Sequence, residues 1–550
     1  MGLTLAIGLF LAAIFGRYMA KVYLGRPTAL DGLFNPVERA IFRILGIDPR
    51  RNMGWKEYAV CLLLFNGVTT LMVFLLLLFQ GGLPLNALGA PGMEWTLATH
   101  TAASFNTNTD FQHYTGEGQV SLLSSLLGLQ VEMFTSAASG LAVGVAFIRG
   151  FVRRDGAIGN FWWDMVRSLI RILLPVALVA AGVFVLLDVP QTLAQSTVIH
   201  PLGGGSQVLP VGPLGSWDAI EFLGTNGGGF FGANAGHPFQ NPTPLTNFVA
   251  VLLMMLIPFG AVFMFGAMVR RPGEAAPLAV AAVVIFLVAL FLFSFFEASN
   301  PFLSGLPVTQ NSGYLVGAES RFSWPESALF QVTSVYGNVG ATSMSLGALT
   351  PGAQMVLLWG MFLQTAPGGD GTGFGTLLIN ALLAIFVGGL MVGRTPEYLG
   401  KKIGRGEVKW AAATILSHPF AILIPLAVAY IAGFATLAVP PGSHGFTIVL
   451  YEFTSESANN GSGMGPINDA SVFFNLAGAV VMLFSRYLPM IAMLAIGGSL
   501  ARQTPLPPGP GTIKTESATF TVYLIAFILI VSGLLFLPVL ALGPFGQGGL

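Results

Sequence analysis

Cysteine and charge are what this chain has least of. A single cysteine, Cys61, lies inside an apolar run of a 550-residue sequence, which excludes a disulfide framework and any paired-thiol chemistry. Charged residues make up 9% against 54% hydrophobic ones, and the mean hydropathy is +0.75. A soluble chain of this length would divide into domains with far more charged surface, so a water-soluble globular protein is excluded. The formal net charge of zero rules out a basic face for nucleic acid. Gly-x-x-x-x-Gly-Lys-Ser/Thr is absent too, so no P-loop cradles a nucleotide phosphate. His100, His113, His200, His237 and His444 fall in loops on one side of the predicted topology. None has a Cys or His at metal-ligand spacing, and packing or surface roles are expected of them.

What is abundant is apolar sequence in runs long enough to cross a hydrocarbon layer about 30 Å thick, which takes about 20 helical residues. Ten spans are predicted, near 3–20, 59–79, 121–148, 166–188, 246–269, 277–296, 375–393, 411–436, 472–500 and 518–541. The first run, Leu3 to Phe15, has no basic residues before it and Arg17, Lys21 and Arg26 after it. That order fits a retained helix with its N-terminus outward rather than a cleaved signal. Loops 17–57, 149–171, 270–275, 394–409 and 501–516 then carry 22 of the 24 Lys and Arg, which assigns them to the cytoplasm and both termini to the outer face. The opposite loops carry twelve acids against one base, Arg321, a balance that concentrates cations at that mouth.

Each long loop on the acidic side holds an apolar half-helix followed by a small, polar stretch. These run from Glu94 to Asp110, from Ser216 to Gly229, from Ser323 to Gly340, and from His444 to Gly463. With Asn108, Asn226, Asn338 and Asn460 as markers, the spacings are 118, 112 and 122, which reads as an internal repeat. Ser323-x-x-Glu326 has the form of a capping box and sets the start of the third half-helix. A half-helix entering the membrane points its negative end toward the centre, and irregular backbone at that depth must be buried in protein or line a cavity. Glycines let such backbone turn its carbonyls inward; Thr, Asn and Ser add further oxygens. Four turns around one axis would build rings of neutral oxygen suited to a monovalent cation, whereas a divalent site would recruit several carboxylates.

The fold class expected is therefore an all-α polytopic membrane protein, with four helix–pore–helix units around one pore and an extra helix at each end. The unit boundaries fall at 1–57, 58–150, 151–272, 273–405, 406–503 and 504–550. Between apolar stretches 355–363 and 377–391 lies a glycine-rich break, 367–375. Its Gly369, Asp370, Gly371 and Gly373 make a hinge or gating loop, with Arg394 at the far end of the helix that follows. Asp370-Gly371-Thr372-Gly373 lacks the Lys after the Asp that a phosphorylated P-type aspartate needs. No soluble nucleotide domain surrounds it, so no catalytic centre is expected in this chain. Glu132 and Arg486 fall inside spans, where an ionisable group is costly and marks function.

Long ordered strings give the chain a family resemblance. Gly224-Thr225-Asn226-Gly227-Gly228-Gly229-Phe230-Phe231, with Ala233-Asn234, His237-Pro238-Phe239, Asn241-Pro242-Thr243 and Leu245-Thr246-Asn247-Phe248, resembles the KdpA family. So do Gly393-Arg394-Thr395-Pro396-Glu397-Tyr398-Leu399-Gly400-Lys401-Lys402, Thr107-Asn108-Thr109 with Gln112, Tyr114 and Gly116-Glu117, and Asn459-Asn460-Gly461-Ser462. The resemblance implies the potassium-binding subunit of a bacterial inner-membrane K+ pump, related in fold to Trk/Ktr/HKT transporters. K+ is then the substrate, and no cofactor belongs to this chain. ATP and Mg2+ are used by a KdpB-like P-type ATPase partner, with KdpC-like and KdpF-like subunits and membrane lipid as further partners. It implies filter positions at Asn108 and Thr109, at Thr225, Asn226 and Gly227, and at Asn460, Gly461 and Ser462, supported by Gln112; by position in their loops, Asp110 joins the first and Tyr336, Gly337 and Asn338 make the third. Asp110 departs from the neutral residue common in the family at that place. The glycine-rich break would obstruct the path below the filter, and the basic loop 394–409 would meet the ATPase. A self-sufficient Trk/Ktr-like ion-coupled channel is the alternative; it would share the pore repeat but lack the 393–402 and 224–231 strings.

Overall fold

The computed structural model describes residues 1–298, 317–364, 368–393, 395–465, 467, 471–507 and 512–548. Ten helices are long and apolar enough to cross a membrane. They are α1 (Gly2–Tyr23), α3 (Trp55–Phe79), α5 (Ser124–Val152), α6 (Phe161–Leu186), α8 (Pro244–Met268), α9 (Ala275–Ala298), α12 (Thr372–Met391), α13 (Arg405–Ile431), α15 (Val472–Leu500) and α16 (Ala518–Leu542). Four half-helices lie between spans on the acid-rich side: α4 (Trp95–Asn106), α7 (Leu214–Leu223), α10 (Trp324–Tyr336) and α14 (Ser443–Ala458). Further helices include α2 (Asp31–Ile44) on the basic side and the short apolar α11 (Pro351–Leu363).

The starts of the half-helices follow from their caps. Glu94 accepts from the amides of Thr96 (2.7 Å) and Leu97 (3.0 Å) and begins α4, while Ser323 and Glu326 form the capping box of α10. Spans approach closely where glycine leaves room. A methyl group at Gly16 of α1 would lie 2.3 Å from the Gly260 carbonyl of α8, and one at Gly150 of α5 2.5 Å from Gly497 Cα of α15.

The basic side holds structure that hydropathy does not reveal. α2 is amphipathic, and Arg171 of α6 reaches it with bonds to Asp31 (2.6 Å), Asn35 (2.6 Å) and Glu38 (2.5 and 3.0 Å). The hydroxyl of Thr28, followed by Arg171, holds the Asp31 carboxyl down to about 2. α6 begins at Phe161, earlier than the predicted span, because Asn160 caps it by accepting from the Trp163 amide (3.2 Å), while Arg167 and Arg171 inside the helix are satisfied by Val22 O, Asp31, Asn35 and Glu38.

Residues 394–409 also contain a tight hairpin, β3 (Glu397–Tyr398) against β4 (Lys401–Lys402); β1 (Ser196–Ile199) and β2 (Gln207–Pro210) pair on the acidic side. Leu399 (φ 53°) and Gly400 (φ 77°) are both left-handed, as a type I′ turn demands. The turn sends Lys401 inward, fully buried, where its Nζ donates to the carbonyls of Gly150 (3.0 Å), Arg153 (2.5 Å) and Leu500 (2.8 Å). Burial, with Arg154 nearby, holds the Lys401 ammonium down to about 8. One cation thereby caps the ends of α5 and α15 together. Lys401→Met leaves those carbonyls unmet and is expected to lower stability by about 3 kcal/mol. In detergent thermal unfolding its midpoint falls, while Lys402→Ala, on the exposed neighbour, stays at the wild-type value.

Candidate functional site

The four half-helices end in one repeated backbone motif. Asn108, Thr225, Asn338 and Asn459 take φ of 61°, 51°, 50° and 52°, a left-handed conformation that asparagine tolerates better than most residues. The next amide in each turn bonds the carbonyl five residues back: Thr109 to Ser104 (3.0 Å), Asn226 to Glu221 (2.9 Å), Val339 to Ser334 (2.8 Å) and Asn460 to Ser455 (2.8 Å). The position after that holds Asp110, Gly227, Gly340 and Gly461.

These positions meet at one place. A methyl group on Gly340 would stand 1.8 Å from the Asn460 carbonyl oxygen, and one on Gly461 2.0 Å from that of Thr109. On Gly227 it would lie 2.5 and 2.7 Å from the same two oxygens. Backbone oxygens of the first and fourth turns thus face glycine backbone of the second and third, with no space for side chains between them.

Side-chain amides tie the turns into a closed ring. Asn108 Nδ2 donates to the carbonyls of Gly224 (3.0 Å) and Thr225 (2.7 Å), linking first to second. Asn234 Oδ1 accepts from Thr342 N (3.3 Å) while its Nδ2 donates to Gly227 O (2.7 Å), linking second to third. Asn460 Nδ2 donates to Val335 O (3.0 Å), and Asn459 Nδ2 to Thr109 Oγ1 (2.9 Å), which closes the circle. Gln112 donates to Gly229 O (2.9 Å) and buttresses the exit of the second turn. Ser462 Oγ bonds Asn460 Oδ1 (2.5 Å) and Tyr451 Oη (2.8 Å).

Two segments differ in register from the sequence reading. Tyr336 is the last residue of α10, not part of the third turn. Its ring fills the space left by Gly360 of α11, and its hydroxyl donates to Val356 O (2.9 Å). Gly337 caps that helix, so the third turn is Asn338–Val339–Gly340. The fourth begins one residue earlier than expected, at Asn459, and the Asn226 marker likewise moves to Thr225. Val339 and Asn234 escaped sequence reasoning: a valine offers only its backbone, and Asn234 acts from outside the turns. The shared left-handed position was the missed signal.

Glu132 of α5 accepts from Asn106 Nδ2 and from Thr69 Oγ1 (2.8 Å), holding the end of α4 from behind. Asp110 is fully buried, and among the described residues neither carboxylate oxygen meets a hydrogen-bond partner. On the acid-rich side the turns open into a cavity of about 220 Å3 lined by Gln112, Tyr114, Gly227, Gly340, Gly461 and Ser462, among others.

On the other side of the turns lies the glycine-rich loop. Gly369, Asp370 and Gly371 take φ of 60°, 35° and 99°. A methyl on Gly368 would overlap the Gly337 carbonyl at 1.6 Å, and one on Gly371 would lie 2.5 Å from the Gly140 carbonyl of α5. Asp370 Oδ1 accepts from Thr225 Oγ1 at 3.5 Å. Arg486 of α15 pins the loop through Thr372 Oγ1 (2.8 Å) and Gly369 O (3.4 Å), and also reaches Ser136 O (3.3 Å). Gly373, in the first turn of α12, contacts Gly368. Arg394 lies outside the described residues.

Among the described residues, ten spans, with four half-helices whose turns converge between them, define a polytopic membrane transport protein. The chain belongs to the potassium-transporting ATPase A subunit (KdpA) family, which matches residues 2–548. A potassium-transporting ATPase potassium-binding subunit of Nostoc sp. is 41% identical over 550 residues, covering 100% of this chain and 97% of that protein. The subunit of the same description from Caldanaerobacter subterraneus is 41% identical over 551 residues, covering 99% and 97%. One from Alicyclobacillus acidocaldarius is 42% identical over 535 residues, covering 97% and 95%. The crystal structure of the potassium transporter TrkH from Vibrio parahaemolyticus shares the fold, with a TM-score of 0.51 at 15% identity over 89% of this chain and 96% of that one.

Removing the guanidinium should free the loop while leaving the turns in place. In Arg486→Met, hydrogen exchange of amides 368–373 should speed up by roughly 10- to 100-fold, the equivalent of about 1–3 kcal/mol of lost bonding. Exchange at the wild-type rate would show that packing alone holds the loop.

Proposed function

We propose that this chain is the potassium-binding and translocating subunit of an ATP-driven uptake pump. K+ enters from the acid-rich side, which is the outer face, sheds water in a filter formed by 108–110, 225–227, 338–340 and 459–461, and passes inward under control of a P-type ATPase subunit. The observation that carries this is the convergence of four left-handed turns on one point, with the Thr109 and Asn460 carbonyls meeting glycines that admit no side chain. Neutral oxygens at close quarters replace the hydration of a monovalent cation. Four helix–pore–helix units around that axis fit the recurring amide-to-carbonyl bond five residues back, with α1 and α16 outside them. Asp110, where the other turns have glycine, adds a carboxylate to the first turn.

Below the filter, the 368–373 loop is the barrier to passive leak, with Asp370 under Thr225 and Arg486 as its latch. The positive-inside rule puts both termini outside and loop 394–409 in the cytoplasm of a bacterial inner membrane. KdpB-like, KdpC-like and KdpF-like subunits complete the assembly. Lys401 is committed to capping helices, so exposed residues such as Lys402 are what that loop offers the ATPase. Family membership over the full chain favours this reading above a self-sufficient Trk/Ktr-like channel.

Proteoliposomes holding the chain with its ATPase partner should take up Rb+ only with ATP, and the chain alone should not; robust uptake by the lone chain would establish the channel alternative. Gly340→Ala should cut ATP-driven uptake by at least about tenfold, whereas Gly118→Ala, which has open space around it, should not. Deleting 369–373 should raise passive Rb+ leak, and an unchanged leak would refute the barrier.

A further inference from the structure

Behind the first and fourth turns sits a cluster of ionisable groups that contributes no oxygen to the turns. His100 on α4 and His113, just beyond the first turn, stack face to face, with ring centroids 4.1 Å apart and planes 12° from parallel. Thirteen residues separate them in sequence; the fold of the first turn brings them together. Glu452 and Glu456, one helical turn apart on α14, meet the two rings. His113 Nε2 lies 2.6 Å from Glu452 Oε1, and His100 Nε2 lies 3.3 Å from Glu456 Oε1. Exposure of the four residues runs from 0% (His100, Glu456) through 3% (Glu452) to 8% (His113).

Plain packing accounts poorly for this arrangement. Among the described residues, His100 Nδ1 and Glu456 Oε2 find no hydrogen-bond partner, and a buried polar atom left so costs about 1–3 kcal/mol. α15 leaves space at the cluster: a methyl group at Gly478 would stand 1.9 Å from Glu456 Oε1 and 3.0 Å from His100 Cδ2. Two carboxylates and two imidazoles brought this close are what a divalent cation neutralises.

The geometry is near that of a metal site. One donor atom from each of His100, His113 and Glu456 lies within 4.8 Å of the others. Ligand distances of about 2.1 Å set a tetrahedral edge of roughly 3.4 Å, so seating an ion takes a closure of up to about 1.4 Å with the two rings turned out of their stack, so that a nitrogen of each aims at the ion. A histidine that ligates a metal ordinarily donates its other ring N–H to an oxygen, and Asn475 Oδ1 of α15, 2.8 Å from His113 Nδ1, stands ready for it. That leaves His113 Nε2 facing the carboxylates. Mixed imidazole and carboxylate donors select a zinc-class ion over Mg2+ or Ca2+, which take oxygen alone. Access is built in, because His113 and Glu452 also line the 220 Å3 cavity above the turns.

We propose that His100, His113 and Glu456, with Glu452 as the fourth donor, bind a zinc-class divalent cation entering from that cavity. The ion would clamp α4 to α14 beside the converging turns. The purified complex, stripped of metal with chelator, is titrated with Zn2+ in excess Mg2+ and analysed for bound metal and by zinc X-ray absorption. One zinc per chain with two imidazole ligands is expected. His113→Gln and Glu456→Gln should each weaken binding at least about tenfold, while His444→Gln, on an exposed histidine elsewhere on α14, should leave it unchanged. No stoichiometric zinc, unaltered binding in both cluster variants, or a zinc shell without imidazole would each overturn the proposal. The absorption spectrum of the unmutated complex decides the matter even if a variant does not assemble.

Discussion

Everything in this molecule is arranged around four stretches of buried, non-helical backbone at the centre of an apolar bundle. Such backbone has polar groups that lipid cannot satisfy, so each must find a partner inside the protein. The solution is a ring of asparagine amides. Asn108, Asn234, Asn459 and Asn460 each bond a neighbouring turn or the half-helix that leads into it. Asparagine serves twice here, since it tolerates the left-handed backbone of the turn while its side chain reaches across to the next. With the turns tied, glycines at 227, 340 and 461 let their backbones meet.

The supporting frame is as polar as its surroundings allow. Glu132 holds the end of α4, Arg486 holds the loop beneath the turns, and Lys401 joins the ends of α5 and α15. Arg486 and Lys401 donate to carbonyl and hydroxyl oxygens where helices end or break, and Glu132 accepts from the Asn106 amide and the Thr69 hydroxyl. In an apolar bundle, a single charged group that satisfies two or three such oxygens is a strong constraint on how the helices can sit.

Much of this architecture was legible before any coordinates. The ten spans follow from hydropathy and length, and the half-helices follow from the apolar runs in the long loops, the Ser323 capping box and a fourfold repeat. Register was harder. Tyr336 looked like a turn residue because it precedes Gly337-Asn338, yet an aromatic ring needs an apolar pocket, and Gly360 of α11 provides one. Helix α2 was hidden because its composition is that of a charged loop; its amphipathic face matters only once Arg171 lies beside it.

The amino-acid order alone therefore settles membrane class, number of spans and the existence of four half-helices between them, because each depends on local hydropathy or short-range spacing. Which oxygens face which glycines, where Lys401 points, and that His100 lies against His113 depend on contacts between residues up to hundreds of positions apart. Those contacts exist only after the helices pack. Asp110 shows the difference most plainly: its identity is visible in the sequence, but only packing buries its carboxylate among the turns.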